Sequence, residues 1–217
     1  MSFVNLIVFD LDGTLIDSRH DLADAANALI VERGGEPLPV ERIAEMVGEG
    51  AAVLVRRALA ASGLDSESAG ALPRFLALYD ERLLNHTTVY DGIAEALRAL
   101  QSRAMLAVLT NKPTAASQRI LEGLGVAGAF RWVAGADSPF PRKPDPAALH
   151  DLMRRAGAGP NETIMVGDSA IDLRTARAGG VRICLARYGF GYRIDPADLH
   201  GDELFADSPA DLPRVLR

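Results

Sequence analysis

The sequence has one cysteine, few aromatic residues and no excess of positive charge. Its cysteine, Cys184, excludes an internal disulfide, and the apolar run around it predicts a buried strand thiol. The net charge is −6 and the Lys and Arg residues are dispersed, so we expect no nucleic acid partner. A long apolar run is also absent, which predicts no signal peptide, no membrane span and a cytoplasmic location.

Apolar residues make up 48% of the 217 residues, enough for the core of one domain with a smaller domain inserted in it. Short apolar runs alternate with helical patterns, which predicts a parallel sheet with helices on both faces. The predicted strands are residues 4–9, 105–109, 130–134, 163–166 and 181–185. The predicted helices are residues 93–100, 116–124, 147–155 and 171–178. No segment predicts an oligomeric state.

Residues 18–86 interrupt this alternation, because they show helical periodicity without a convincing strand. Breaks that contain glycine at 34–37, 48–50 and 62–63 divide the segment into about four helices. We therefore predict a core of residues 1–17 and 87–217 and an inserted helical cap of residues 18–86.

Two acidic residues, Asp10 and Asp12, follow directly on the first predicted strand. Ligands of open α/β sheets bind at the carboxyl ends of the strands. Two neighbouring carboxylates repel each other there, and a bound divalent cation removes this repulsion. A turn capped by both acids is an alternative. A calcium loop fits less well, because a strand precedes the pair and the spacing of such loops, with a distal glutamate, is absent.

Other polar residues follow the later strands. Asp168 comes after the strand 163–166, and together with Asp10 it predicts a metal site at the sheet edge. Thr110 and Asn111 follow the strand 105–109 and offer a hydroxyl and N–H groups to phosphoryl oxygens. Lys143, in a loop before a helix, offers a positive charge to the same group.

The order of these motifs resembles the haloacid dehalogenase superfamily over essentially the whole chain. The motifs are Asp-Leu-Asp-Gly-Thr-Leu from Asp10, Thr-Asn-Lys from Thr110, Lys-Pro-Asp-Pro from Lys143 and Gly-Asp-Ser around Asp168. The resemblance implies a Rossmann-like parallel sheet flanked by helices, with an inserted α-helical cap. It also implies a Mg²⁺-dependent hydrolase that acts on small phosphorylated metabolites.

The resemblance further implies a role for each motif residue. Asp10 would be the nucleophile that forms an aspartyl phosphate, and Asp12 the general acid and base. The residues implied to hold the phosphoryl group are Thr110, Asn111 and Lys143. The implied Mg²⁺ ligands are Asp10, the backbone carbonyl of Asp12, and Asp168.

Asp172 lies one helical turn after Asp168. We expect it to hydrogen-bond metal-bound water or to orient Lys143, with a simple helix-surface carboxylate as the alternative. Its loss should therefore cost less activity than the loss of Asp168.

The turn 48–50 and the aromatic-glycine stretch 188–192 resemble phosphoglycolate phosphatase-like members of this superfamily, so 2-phosphoglycolate is the expected substrate. Arg56 or Arg57 could meet its carboxylate, although a helix-surface position is favoured for both.

The core motifs do not separate this activity from a sugar-phosphate phosphatase, a pyrophosphatase or a β-phosphoglucomutase-like enzyme. A metal-free dehalogenase is disfavoured because Asp12 supplies an acid that it does not need. A catalytically silent binding module is disfavoured because all the expected catalytic residues are present.

Overall fold

The computed structural model describes residues 4–217, so residues 1–3 of the predicted core lie outside the described residues. The strands are β1 Leu6–Phe9, β2 Ile16–Asp17, β3 Thr88–Val89, β4 Met105–Leu109, β5 Trp132–Ala134, β6 Thr163–Gly167, β7 Arg182–Ala186 and β8 Leu204–Ala206. The helices are α1 Arg19–Glu32, α2 Val40–Ala44, α3 Ala51–Ala61, α4 Ala71–Asp80, α5 Ile93–Gln101, α6 Thr114–Gly123, α7 Ala147–Ala156, α8 Ala170–Ala178 and α9 Leu212–Val215.

Six of the strands form one parallel sheet in the order β5-β4-β1-β6-β7-β8. The central strand β1 pairs with β4 on one side and with β6 on the other, so the residues that follow these three strands meet at one edge. The predicted parallel sheet is confirmed, and all five predicted strands are present. The sixth, β8, was not predicted because it has three residues and its sequence lacks a long apolar run.

Alternate residues of the sheet face two separate layers, as a strand requires. Leu6 and Val8 of β1 pack in the layer that contains α7 and α8. Ile7 and Phe9 pack in the layer that contains α5, α6 and α9. Cys184 of β7 is fully buried, as predicted, and burial raises the pKa of its thiol to about 12. The sheet is thus covered by helices on both faces.

Helices α1 to α4 fill the interval between β2 and β3, which confirms the predicted four helices. Helix α1 packs against α2, α3 and α4. The two ends of this helical segment are joined, because β2 and β3 pair antiparallel. Buried Asp21 adds to the joint by accepting hydrogen bonds from the backbone N–H groups of His86 and Thr87, at 3.0 and 2.8 Å. Within residues 4–217, no helix has the length and apolarity needed to cross a bilayer.

Candidate active site

The predicted site residues converge at the carboxyl edge of the sheet. Asp10 follows β1, Thr110 follows β4 and Asp168 follows β6. Lys143 reaches them from the loop before α7, and its Nζ lies 2.7 Å from Asp10 Oδ1. The four side chains are buried, with 2 to 6% of their residues' surface exposed. Residues spread over the chain therefore form one site.

Lys143 is held between two carboxylates. Its Nζ lies 2.6 Å from Asp172 Oδ1 as well as near Asp10. Burial alone would lower the pKa of Lys143, but the charges of Asp10 and Asp172 outweigh it and raise this pKa above its ordinary value. The ammonium therefore keeps its charge, and Asp172 occupies the position expected of a residue that orients Lys143.

Asp172 is itself fixed at the start of α8. Ser169 precedes this helix as its N-cap, and its hydroxyl donates to Asp172 Oδ2 at 2.6 Å. This capping arrangement leaves Asp168, the residue before the cap, free to face the site. Both oxygens of Asp172 thus have partners, one in Lys143 and one in Ser169.

Three buried carboxylates lie close enough to share a cation. Oxygen atoms of Asp10, Asp168 and Asp172 lie within 4.8 Å of one another. Burial and then the charge of Asp172 raise the pKa of Asp10 from 3.8 to about 7, even though Lys143 opposes the change. The same two causes raise the pKa of Asp168 well above its usual value. The cluster carries more negative charge than Lys143 balances, and its oxygen ligands suit a hard divalent cation.

Asp168 is positioned by backbone that approaches it closely. Its Oδ2 accepts a hydrogen bond of 2.8 Å from the N–H of Gly191. A Cβ built on Gly189 would lie 2.4 Å from Asp168 Cβ and 2.3 Å from the carbonyl oxygen of Gly13. Gly13 itself has a φ of +85°, and a Cβ there would lie 1.9 Å from Asp168 Oδ2. The stretch 188–192 and the turn after β1 thus enclose Asp168. Only glycine fits at positions 13 and 189.

Asp12 lies beside a separate group of polar residues. Its Oδ1 accepts a 2.5 Å hydrogen bond from the Ser18 hydroxyl and lies 2.9 Å from Lys112 Nζ. The Lys112 ammonium also donates to the Tyr79 hydroxyl oxygen at 2.6 Å. Asp12 Oδ2 has no hydrogen-bond partner among residues 4–217. One carboxylate oxygen is therefore held while the other is available to a substrate.

Sequence reasoning missed Ser18, Tyr79 and Lys112. Burial alone would lower the pKa of Lys112. The contacts with Asp12 and Tyr79 outweigh burial and raise this pKa above its ordinary value. Burial also raises the pKa of Tyr79 to about 12, so its hydroxyl keeps its proton. The signal for Lys112 was its place in the Thr-Asn-Lys motif, directly after two residues that were assigned to the site.

The two residues before Lys112 differ in what their side chains contact. The Asn111 amide donates to the carbonyl oxygens of Gly48 at 3.0 Å and Lys143 at 3.1 Å. Both side-chain N–H groups of Asn111 are thus bonded to backbone carbonyl oxygens. Its backbone N–H is the donor that is left for a phosphoryl oxygen. The Thr110 hydroxyl oxygen accepts a hydrogen bond of 3.2 Å from the N–H of Lys112, and its proton is available.

A small cavity of about 50 Å³ opens between the helical segment and the sheet edge. Asp10, Asp12 and Lys112 line its polar end, and its other walls are mostly apolar side chains of α1, α3 and α4. Gly48 and Gly50 of the turn 48–50 border it. Arg56 and Arg57 do not line it, because both are exposed and pair with Glu67 and Glu49.

A buried carboxylate at the end of the central strand, next to a buried lysine and within an acidic cluster, is the arrangement of a hydrolase of the haloacid dehalogenase-like type. The family model of that name matches residues 4–180, and the chain belongs to this family. Members of the family generally use a divalent metal, and the acidic cluster is consistent with one.

Individual relatives share most of the chain. The phosphoglycolate phosphatase of Rhodospirillum rubrum is 42% identical over 192 residues, which are 85% of this chain and 80% of that protein. The phosphoglycolate phosphatase of Pseudomonas putida is 39% identical over 214 residues, 94% of this chain and 74% of that protein. The crystal structure of a predicted phosphoglycolate phosphatase from Haemophilus somnus has a TM-score of 0.91 and 31% identity over the full length of both chains.

Proposed function

We propose that this protein is a Mg²⁺-dependent phosphatase that hydrolyses 2-phosphoglycolate to glycolate and phosphate through a phosphorylated Asp10. The observation that carries the proposal is the buried cluster of Asp10, Lys143 and Asp168 at the strand ends. The names of the relatives support this substrate.

In the first step of this proposal, a carboxylate oxygen of Asp10 attacks phosphorus on the side opposite the leaving oxygen. The bond from phosphorus to the leaving oxygen breaks, and Asp12 Oδ2 gives its proton to that oxygen. Lys143 and the N–H groups that follow β4 hold the phosphoryl oxygens. Glycolate leaves, and Asp10 carries the phosphoryl group.

In the second step, a water molecule attacks the phosphorus of phosphorylated Asp10. Asp12 now acts as the base, so its free Oδ2 takes the proton of that water. The bond between phosphorus and Asp10 breaks, which returns both aspartates to their starting states. The firm contacts of Asp12 Oδ1 with Ser18 and Lys112 keep Oδ2 in position for both transfers.

Asp10, Asp168 and the backbone carbonyl of Asp12 are the proposed Mg²⁺ ligands, with Asp172 nearby to orient Lys143. An all-oxygen set with two raised carboxylate pKa values fits a hard divalent cation. When bound, Mg²⁺ would supply positive charge that reduces the repulsion between the Asp10 carboxylate and the anionic phosphate. We also propose that residues 18–86 act as a cap that selects the substrate and excludes water, and that the protein is cytoplasmic.

Phosphate release from purified protein with Mg²⁺ tests the proposal. The panel compares 2-phosphoglycolate with sugar phosphates, nucleotides and pyrophosphate, and we expect 2-phosphoglycolate to have the highest kcat/KM. Asp10→Asn should lower turnover by at least about 10³-fold, because the amide is not a nucleophile. The matched control is Asp91→Asn at an exposed position, which should keep the activity. A sugar-biased panel refutes the substrate, and turnover by Asp10→Asn refutes the mechanism.

A further inference from the structure

The proposed mechanism uses Lys112 only to hold Asp12, although the ammonium can do more. It is buried, with 6% of the residue exposed, and it contacts Asp12 Oδ1 and Tyr79 Oη at 2.9 and 2.6 Å. A lysine ammonium has three N–H donors. The third has no acceptor among residues 4–217, so it is available to a ligand in the cavity that Lys112 lines.

Tyr79 presents a second available donor at the same place. Its hydroxyl oxygen accepts the hydrogen bond from Lys112, so the hydroxyl proton has to point to another acceptor. The described residues supply none. Tyr79 is 4% exposed and also lines the cavity. One N–H and one O–H therefore meet in the cavity without an acceptor, and the two oxygens of a carboxylate would satisfy both.

Lys112 supplies the positive charge that an anion would need at this point. The other walls of the cavity are largely apolar, with Leu22, Leu54 and Phe75 among them. A charge placed against such walls is costly unless a buried partner of opposite charge receives it. Among the described residues that line the cavity, Lys112 is the one with a cationic side chain.

We propose that Lys112 and Tyr79 form a carboxylate-binding subsite for the leaving group. This inference rests on the proposed function and deepens it, because it names the side chains that bind the carboxylate of the leaving group, one carbon from the ester oxygen. Asp12 Oδ2 has to reach that ester oxygen, while Oδ1 of the same residue touches Lys112. A carboxylate one carbon away from the ester oxygen is thus brought to the side of Lys112.

Arg57 and Lys143 are less suitable, because neither lines the cavity. Arg57 is exposed, and its guanidinium already pairs with Glu49 at 2.6 Å. Lys143 is held between Asp10 and Asp172, and the proposed function already uses it to hold the phosphoryl group. Selection of the carboxylate is therefore assigned to Lys112 rather than to an arginine of the helical segment.

The test compares 2-phosphoglycolate with 2-phosphoglycolamide, in which a neutral amide replaces the carboxylate. The quantity measured is the ratio of the two kcat/KM values. The wild type should prefer the acid, and Lys112→Met should lower the ratio by about 10–100-fold, the range of a charge-assisted hydrogen bond. Loss of support for Asp12 lowers both values, and Tyr79→Phe, which keeps the charges of Lys112 and Asp12, shows whether a direct contact contributes to the ratio.

Two further variants complete the design. Tyr79→Phe removes one oxygen and keeps the charge, so the ratio should fall by a smaller factor of about 3–10. Arg57→Met is the matched control at an exposed cation and should leave the ratio unchanged. Circular dichroism shows whether Lys112→Met folds; if it does not, Tyr79→Phe and the wild-type ratio decide.

The inference is overturned if the wild type does not prefer the acid, or if Lys112→Met, or Tyr79→Phe when Lys112→Met does not fold, keeps the preference. Loss of the ratio in Arg57→Met also overturns it, because selection then belongs to the helical segment. Failure of the underlying function looks different: neither compound then gives phosphate release that depends on Asp10.

Discussion

The side-chain amide of Asn111 donates a hydrogen bond of 3.0 Å to the carbonyl oxygen of Gly48. The first residue follows β4 of the sheet and the second lies in the turn between α2 and α3. The same side chain accepts a hydrogen bond of 3.0 Å from the N–H of Lys143 and donates to its carbonyl. Asn111 thus ties the helical segment and the loop of the buried lysine to one strand end.

Replacement of this amide should impair catalysis, because the amide positions the turn at Gly48 and the loop of Lys143. We expect Asn111→Asp to lower kcat/KM by about 10–100-fold, because both donated hydrogen bonds are lost and carbonyls of Gly48 and Lys143 then face a carboxylate. Steady-state kinetics with 2-phosphoglycolate measure the change. Asn161→Asp makes the same replacement at an exposed residue and should have no effect. Equal activity of the two variants would show that the tie is not needed.

Ser18 should matter most for substrates whose leaving group needs a proton. Its hydroxyl donates to Asp12 Oδ1 at 2.5 Å and so helps to aim Oδ2. Ser18→Ala should lower kcat by about 3–10-fold with 2-phosphoglycolate and less with p-nitrophenyl phosphate, whose phenolate leaves without protonation. The exposed Ser102→Ala serves as the control. An equal loss on both substrates would contradict a role in aiming the acid.

The glycine stretch after β7 should be needed for metal binding. A Cβ at Gly189 would lie 2.3 Å from the Gly13 carbonyl oxygen, whereas one at Gly128 would meet nothing within 4 Å. Gly189→Ala should therefore lower the free energy of unfolding by about 1–3 kcal/mol and displace Asp168, while Gly128→Ala should not. Thermal unfolding and the Mg²⁺ concentration for half-maximal activity measure the two effects. Unchanged Mg²⁺ dependence in a folded Gly189→Ala would contradict this prediction.

Stability without metal should depend on pH in an unusual direction. Burial and the charge of Asp172 raise the pKa of Asp10 from 3.8 to about 7, so the folded protein binds this proton more tightly than the unfolded chain does. The resulting stabilisation is present below about pH 4 and is lost as the pH rises through about 7. Mg²⁺ competes with that proton, so it should raise Tm more at pH 8 than at pH 5.

The measurement is thermal unfolding of chelated and Mg²⁺-loaded protein at both pH values. Asp10→Asn removes one of the two titrating groups and should reduce the pH dependence of the chelated form, because Asp168 remains. The same Mg²⁺-induced change in Tm at both pH values would contradict the assignment of this acidic cluster as the metal site.

The sequence was most informative where a side chain follows a strand. Asp10, Thr110 and Asp168 were predicted together because parallel strands bring their carboxyl ends to one edge, and the structure places them there. Tyr79 was missed because its helical spacing from Phe75 is typical of a packed face. Its hydroxyl meets Lys112 only when α4 folds back over that residue, a contact across 33 positions of the sequence that local periodicity does not encode.

The joint formed by β2, β3 and Asp21 has a consequence for how such proteins diversify. Both passages of the chain between the sheet and the helical segment lie side by side, paired at Ile16 with Val89 and at Asp17 with Thr88. Helices attached along one such edge can be replaced as a unit while the strand register beneath them stays the same. We expect that a different set of helices, grafted between residues 18 and 88 so that Ser18 is kept, would alter which phosphate ester is accepted while hydrolysis still depends on Asp10.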